Sequence, residues 1–173
     1  MQILSHLSIF VCIANDMNIT LLTVGKTDVK WVREGLELYA SRLVHYVPFQ
    51  LLELPELKNV SALSQEQIKS KEGAAILKKI KSGDEVLLID EHGREYRSLE
   101  FAEMIRSHMT RSSRDLVFVI GGAYGFSPEV YARADGKISL SRMTFSHQMV
   151  RTIFAEQLYR AFTIIKGEPY HHE

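Results

Sequence analysis

Five short runs of β-branched and aliphatic residues alternate along this chain with stretches whose apolar residues recur at helical spacing. Residues 19–24, 49–54, 85–90, 116–120 and 137–140 read as strands. The fourth, Leu116-Val-Phe-Val-Ile120, holds no polar residue, as expected of a strand covered on both faces. Between the first two strands, Val32, Leu36, Tyr39 and Leu43 repeat along a helix over 31–43. Ser64 with Gln67 three residues on has the capping-box pattern, and opens a helix that runs to about Lys81 and stops at Gly83. Glu91-His-Gly-Arg94 reads as a turn, after which Ser98 caps a helix carrying Phe101, Ala102, Ile105 and Met109 on one face. Ser127-Pro128-Glu129 supplies an N-cap, a proline at the first helical position and an acid in the first turn. A long last helix spans 147–165 and ends at Gly167 and Pro169. Such alternation predicts an α/β fold with a mainly parallel sheet and helices on both faces.

No internal repeat, low-complexity tract or linker divides the chain, so residues 17–173 read as one domain, large enough to bury a core without metal or disulfide. Cys12 is the single cysteine, so no intrachain disulfide can form, which fits a reducing compartment such as the cytoplasm. No Cys/His cluster has zinc spacing, and no metal is expected. The apolar run over 4–14 is too short to span a bilayer and lacks the basic flank and small-residue site of a secretory signal. Asn15-Asp16 then leads into Met17-Asn-Ile-Thr, which reads as a second start. The expectation is that residues 1–16 are an extension outside the fold. The formal net charge is +0. That argues against a simple nucleic-acid binder with a basic face, and leaves room for a local basic patch or for recognition of shape in a large assembly.

In open α/β sheets ligands bind beyond the carboxyl ends of the strands, and three loops there are unusual. Ile89-Asp90-Glu91-His92-Gly93 puts an acid just after a buried strand: Asp90 either holds a ribose hydroxyl or a metal, or is a polar turn residue satisfied by backbone. Gly121-Gly-Ala-Tyr-Gly125 has three glycines in five residues, which lets backbone approach a ligand closely or simply makes a tight turn. It is neither a Walker loop nor G-x-G-x-x-G. The run 140–151 alternates apolar and hydrogen-bonding residues. Leu140, Met143 and Phe145 there wall a pocket for a flat purine, or Leu140 and Phe145 belong to the core. His147 and Arg151, four apart, share a helical face.

Taken in order, Ile89-Asp90-x-x-Gly93, Gly121-Gly-x-x-Gly125 and Ser139-Leu-Ser-x-Met-Thr-Phe-x-His147-Gln-x-Val-Arg151 resemble the ribosomal RNA large-subunit methyltransferase H family of the SPOUT superfamily. The opening Gly25-Lys26 with Trp31-Val32, and the ending Tyr159-Arg160-Ala161 with Pro169-Tyr170-His171, resemble it too. The resemblance covers Met17 to Glu173. It implies a trefoil knot on the C-terminal side of the sheet and S-adenosylmethionine bound in it. It also implies a homodimer whose sites use both subunits, and N3-methylation of a pseudouridine in a hairpin loop of 23S rRNA on assembled ribosomes. By position, the cofactor contacts fall on Ile89, Gly121, Leu140, Ser141, Arg142, Met143, Thr144 and Phe145. Two departures stand out: Ile89 where leucine is common, and Ser146 where many members have proline, which frees the loop backbone before His147.

The resemblance also implies roles. His147, or His171 in the tail, accepts or relays the proton that leaves N3. Arg151 stabilises the developing anion or holds a phosphate. Tyr170 stacks on a splayed loop base. Glu156 and Arg160 read as a structural pair. Met149, Val150, Ile153, Phe154, Leu158, Phe162 and Ile165 cover more of the last helix than one stripe, which predicts a second buried face, supplied by another copy of the chain. The rival readings are a ribosome-binding factor on the same fold without catalysis, and an α/β enzyme acting on a free nucleotide.

Overall fold

A computed structural model describes residues 17–112 and 114–171. The expected extension over 1–16 lies outside the described residues. The order of elements is β1 (Ile19–Val24), α1 (Lys30–Leu43), β2 (Phe49–Leu54), a 3₁₀ turn (Val60–Ala62), α2 (Gln65–Leu77), β3 (Glu85–Glu95), α3 (Ser98–Arg111), β4 (Leu116–Ile120), α4 (Pro128–Arg133), β5 (Gly136–Ser139) and α5 (Met149–Lys166). The strands form one five-stranded sheet, ordered β2-β1-β4-β3-β5, and every adjacent pair is parallel. All strand carboxyl ends therefore meet on one rim, and the three unusual loops leave from it.

Side-chain alternation splits the core into two layers. Leu116, Phe118 and Ile120 of β4 join α1, α3 and α5 on one face, while Val117 and Val119 join α2 and α4 on the other. Buried on both sides, β4 is apolar throughout, which is why its bounds were legible in the sequence. Phe118 lies 4.7 Å from Phe154 of α5, ring centroid to centroid. Truncating such a buried aromatic to alanine costs about 3–5 kcal/mol. The Ser64 capping box is formed, with Ser64 Oγ accepting from Gln67 N–H and Gln67 Oε1 from Ser64 N–H. α2 ends earlier than its pattern suggests, at Leu77. α3 starts one residue sooner, with Arg97 as N-cap and Glu100 Oε2 accepting its N–H at 3.0 Å. Gly167, at φ 69°, closes α5 in the left-handed conformation that glycine adopts without strain.

The third strand departs from expectation. Residues 91–94 are not a turn; β3 runs on to Glu95. Ile138 of β5 pairs with both Ile89 and Arg94, so residues 90–93 bulge out of the ladder before pairing resumes. Gly93 permits this, since a Cβ there would stand 2.5 Å from the Ile138 carbonyl carbon. The bulge carries Asp90, Glu91 and His92 to the carboxyl rim.

Candidate active site

Along that rim lies a cleft of about 470 Å³, bounded by the β3 bulge, the glycine loop after β4, the β5–α5 loop, Tyr131 of α4 and Val150 of α5. Its size falls in the range of roughly 300–1,000 Å³ that buries a cofactor-sized molecule. Seven of the eight expected cofactor residues line it: Ile89, Gly121, Leu140, Ser141, Met143, Thr144 and Phe145. Arg142 does not. Its side chain is 89% exposed and turns outward to pair with Glu95 at 3.5 Å. Any contact of Arg142 with a molecule in this cleft would fall to its backbone.

Local hydrogen bonds shape the cleft. Thr144 Oγ1 donates to Glu91 Oε2 at 2.6 Å, joining the β5–α5 loop to the β3 bulge. Ser141 Oγ accepts from Met143 N–H at 2.9 Å, and Ser139 Oγ donates to the Ser141 carbonyl. Asp90 is occupied: it accepts from His92 N–H at 2.8 Å and from the Tyr131 hydroxyl at 2.5 Å. Burial pushes its carboxyl up, but these donors outweigh burial and hold it below the usual range. Asp90 is thus satisfied within the chain, by the backbone of the bulge and by Tyr131. Tyr131, whose phenol is raised by burial and then by Asp90, braces the bulge from α4. Sequence reasoning missed it, since nothing in a six-residue helix marks one tyrosine as a brace.

Gly121 is buried within the glycine loop. A Cβ there would meet the Phe126 ring at 3.1 Å and the Gly125 carbonyl at 3.3 Å. Its lack of a side chain serves the loop's own packing, and Gly121 also lines the cleft. Gly125, at φ 78°, makes the turn. The lining residues include the carboxylates of Asp90 and Glu91 and no lysine or arginine. A cleft with apolar walls, carboxylates and no cation suits a flat heterocycle carrying positive charge, and S-adenosylmethionine, with its adenine and sulfonium, fits that donor set. Ile89, Leu140 and Phe145 would wall its ring.

His147 stands half-buried where this cleft ends. Burial, and then the charge of Arg151, lower its pKa against a weaker opposing pull from Glu56, so it is neutral at pH 7. Arg151 itself is 0% exposed. Its Nε donates to the His147 carbonyl, one terminal nitrogen to the Gly25 carbonyl and Thr27 Oγ1, and the other to the Val24 carbonyl. Glu53 balances its charge at 3.6 Å. Arg151 was expected to meet a developing anion or phosphate; in this chain it is buried, with four of its five N–H donors engaged, and ties the start of α5 to the end of β1 as a positioning residue does. Gln148 adds to the tie, accepting from Asp28 N–H and donating to the Lys26 carbonyl.

The tail lies apart from the cleft of its own chain. Tyr170 packs edge-on to Tyr159 at 4.9 Å, stacks under Arg160 and donates to Glu156 Oε1 at 3.1 Å. Neither Tyr170 nor His171 lines the cleft. Glu156 and Arg160 form the expected pair at 2.5 Å. The apolar girth of α5 is mostly covered by its own chain: Phe154, Leu158 and Phe162 are buried, and α1 and α3 pack on its two flanks. Met149, at 40% exposure, and the half-buried Ile153 remain outside that cover. Among the described residues, no group of His, Cys, Asp or Glu is placed to hold a metal, and no helix is long and apolar enough to cross a membrane.

Residues 17–171 match the model of a family described as "Predicted SPOUT methyltransferase". The ribosomal RNA large subunit methyltransferase H of Christiangramia forsetii is 53% identical over 156 residues, which cover 90% of this chain and 99% of the relative. That of Phocaeicola vulgatus is 54% identical over 157 residues, covering 91% and 100%. The crystal structure of the SpoU methyltransferase AviRb from Streptomyces viridochromogenes overlaps with a TM-score of 0.43 at 12% identity, over 89% of this chain and 62% of that one, too slight a likeness to argue from.

Proposed function

The chain belongs to the SPOUT methyltransferase family, and from that premise we propose that it methylates large-subunit ribosomal RNA with S-adenosylmethionine, at N3 of a pseudouridine in a hairpin loop of 23S rRNA on assembled ribosomes. The observation that carries this is the cation-free cleft on the carboxyl rim with a neutral histidine at its edge. Bound there, the cofactor supplies a methyl group made electrophilic by its sulfonium. The chain's own task is positioning: to hold the base nitrogen in line and to take its proton. His147 accepts that proton, its imidazole kept neutral by burial and by Arg151, and its backbone held by the same guanidinium.

The protein acts in the cytoplasm as a homodimer, with Met149 and Ile153 of α5 in the interface and each tail reaching the partner's cleft. That arrangement accounts for Tyr170 and His171 standing away from the cleft of their own chain. It also eases the charge question, because a ribosomal surface supplies shape where a neutral chain lacks a basic face. Calorimetric titration with S-adenosylmethionine tests the reading. Saturable binding that Leu140→Asp abolishes supports it; absence of binding by the folded protein contradicts it and favours a ribosome-binding factor without catalysis.

A further inference from the structure

A second cavity, of about 420 Å³, lies across the glycine loop from the cofactor cleft, beyond the ends of β1 and β2 and under the start of α2. The two share Gly122, Ala123, Tyr124 and His147 as a common wall. Whatever enters the second cavity abuts both the cofactor cleft and the histidine. Its sides are apolar at Val24, Leu57, Leu63 and Ile68, and its polar lining includes Glu56, Gln65 and Glu72. No lysine or arginine lines it, so it offers no cationic side chain to a phosphate. Flat apolar sides with carboxylate acceptors suit a neutral ring bearing N–H groups. The cofactor has room in the first cleft, so the second is left for the substrate.

Glu72 lies on the seam. Its carboxylate occupies the place a side chain at Gly122 would take, with Oε2 2.5 Å from where a Cβ would stand. Oε2 is buried and accepts no hydrogen bond among the described residues. Burial, and then the charge of Glu56, push the carboxyl above its usual range, as expected of lone pairs that lack a donor.

We propose that this second cavity takes the target base and that the Glu72 carboxylate accepts a hydrogen bond from a ring N–H. The inference rests on the proposed methyltransferase function and names its specificity. Pseudouridine carries two ring N–H groups. The proton on N3 leaves in the reaction, and N1–H remains as a donor; in uridine that nitrogen bears the ribose. A carboxylate acceptor at Glu72 therefore reads pseudouridine against uridine.

The test uses the full chain, S-adenosylmethionine, and two sets of ribosomes: ordinary ones, and ones from cells lacking the pseudouridine synthase for the target position, which keep uridine there. The wild-type protein is expected to prefer pseudouridine. Glu72→Met is expected to lower transfer to pseudouridine about tenfold or more, the effect of losing a hydrogen bond to a charged group, and to erase the preference. Its affinity for S-adenosylmethionine should stay unchanged. Glu72→Gln, which retains an acceptor oxygen, should keep the preference. Leu57→Trp, on the exposed side of the cavity, should block transfer without weakening cofactor binding, and decides the matter if Glu72→Met does not fold. Undiminished transfer by Glu72→Met overturns the inference, as does an equal loss on both ribosomes. A parallel loss of cofactor affinity also overturns it, since the cavity then holds the cofactor's ammonium end. A wild-type protein inactive on both ribosomes contradicts the proposed function itself.

Discussion

Arg151 Nε donates to the His147 carbonyl oxygen at 2.9 Å, one helical turn back, while the rest of its guanidinium grips the end of β1. A fully buried cation thus sets the backbone position of the half-buried imidazole that faces both cavities. Arg151→Ala strands the Val24 and Gly25 carbonyls and removes the countercharge of Glu53. Breaking a buried, charge-paired network of this kind costs about 3–5 kcal/mol. Urea denaturation should register that loss. Arg151→Lys, a point charge without the planar fork, should recover only part of it. A variant as stable as the parent would show the network to be incidental.

His147 gives the activity its pH dependence. Burial first, and then Arg151, lower its pKa from 6.5, so the neutral, proton-accepting form persists below the ordinary histidine range. Methyl transfer should rise with pH through a midpoint under 6.5 and be flat near pH 7. His147→Ala should remove that limb and slow transfer by about 10²-fold or more, the usual worth of a positioned base. The same shift bears on stability. Below pH 6.5 the unfolded chain takes up the proton before the folded one, so the contribution present above 6.5 is lost as pH falls through the folded pKa. Paired melts of parent and His147→Ala across pH 5 to 7 check the sign; a parent that gained stability on acidification relative to the variant would reverse it.

Glycine positions separate two kinds of crowding. At Gly93 a Cβ would meet β5 backbone, which cannot move aside. Gly93→Ala should cost about 1–3 kcal/mol, as overpacking does, and disturb the cleft through the displaced bulge. At Gly121 the nearest obstacle is the Phe126 ring, a side chain at 3.1 Å, with the Gly125 carbonyl at 3.3 Å. Gly121→Val should abolish cofactor binding, and Phe126→Leu should restore part of it in the less crowded Gly121→Ala background. Equal binding by Gly121→Ala with or without Phe126→Leu would leave this packing argument without support.

What the sequence made legible follows from what is local. β4 and the Ser64 cap declare themselves through period and spacing, and their bounds hold. The β3 bulge did not, because a turn and a bulge both call for Asp, His and Gly, and only pairing with Ile138 of another strand tells them apart. The positions that the resemblance assigns to the cofactor line the cleft, apart from Arg142, whose side chain turns out to Glu95. Spacing puts Arg151 on one face with His147, but its burial against Val24 and Gly25 is a contact across more than a hundred residues, which spacing does not encode. Glu72 carried no motif, since the Gly122 backbone it meets comes from a distant loop. The knot implied by the resemblance concerns how the chain threads, which no periodicity encodes.

The composite site is open to a mixing experiment. Gly121→Val subunits and subunits carrying both Tyr170→Ala and His171→Ala should each be inactive alone. In mixed dimers one of the two sites keeps both intact halves, so about half of wild-type activity per dimer should return, as two-fold pairing requires. Verified mixed dimers with no recovery would show that each site is built from one chain, as would a fully active monomer in light scattering.

The central claim is methyl transfer to one base of the large-subunit RNA. Ribosomes from cells lacking this activity are incubated with the protein and isotopically labelled S-adenosylmethionine, and the 23S rRNA is digested and mapped by mass spectrometry. A single labelled fragment from a hairpin loop is expected, with the methyl on N3 of a pseudouridine, and its loss with His147→Ala. Label in no rRNA fragment, despite cofactor binding and an intact fold, would contradict it.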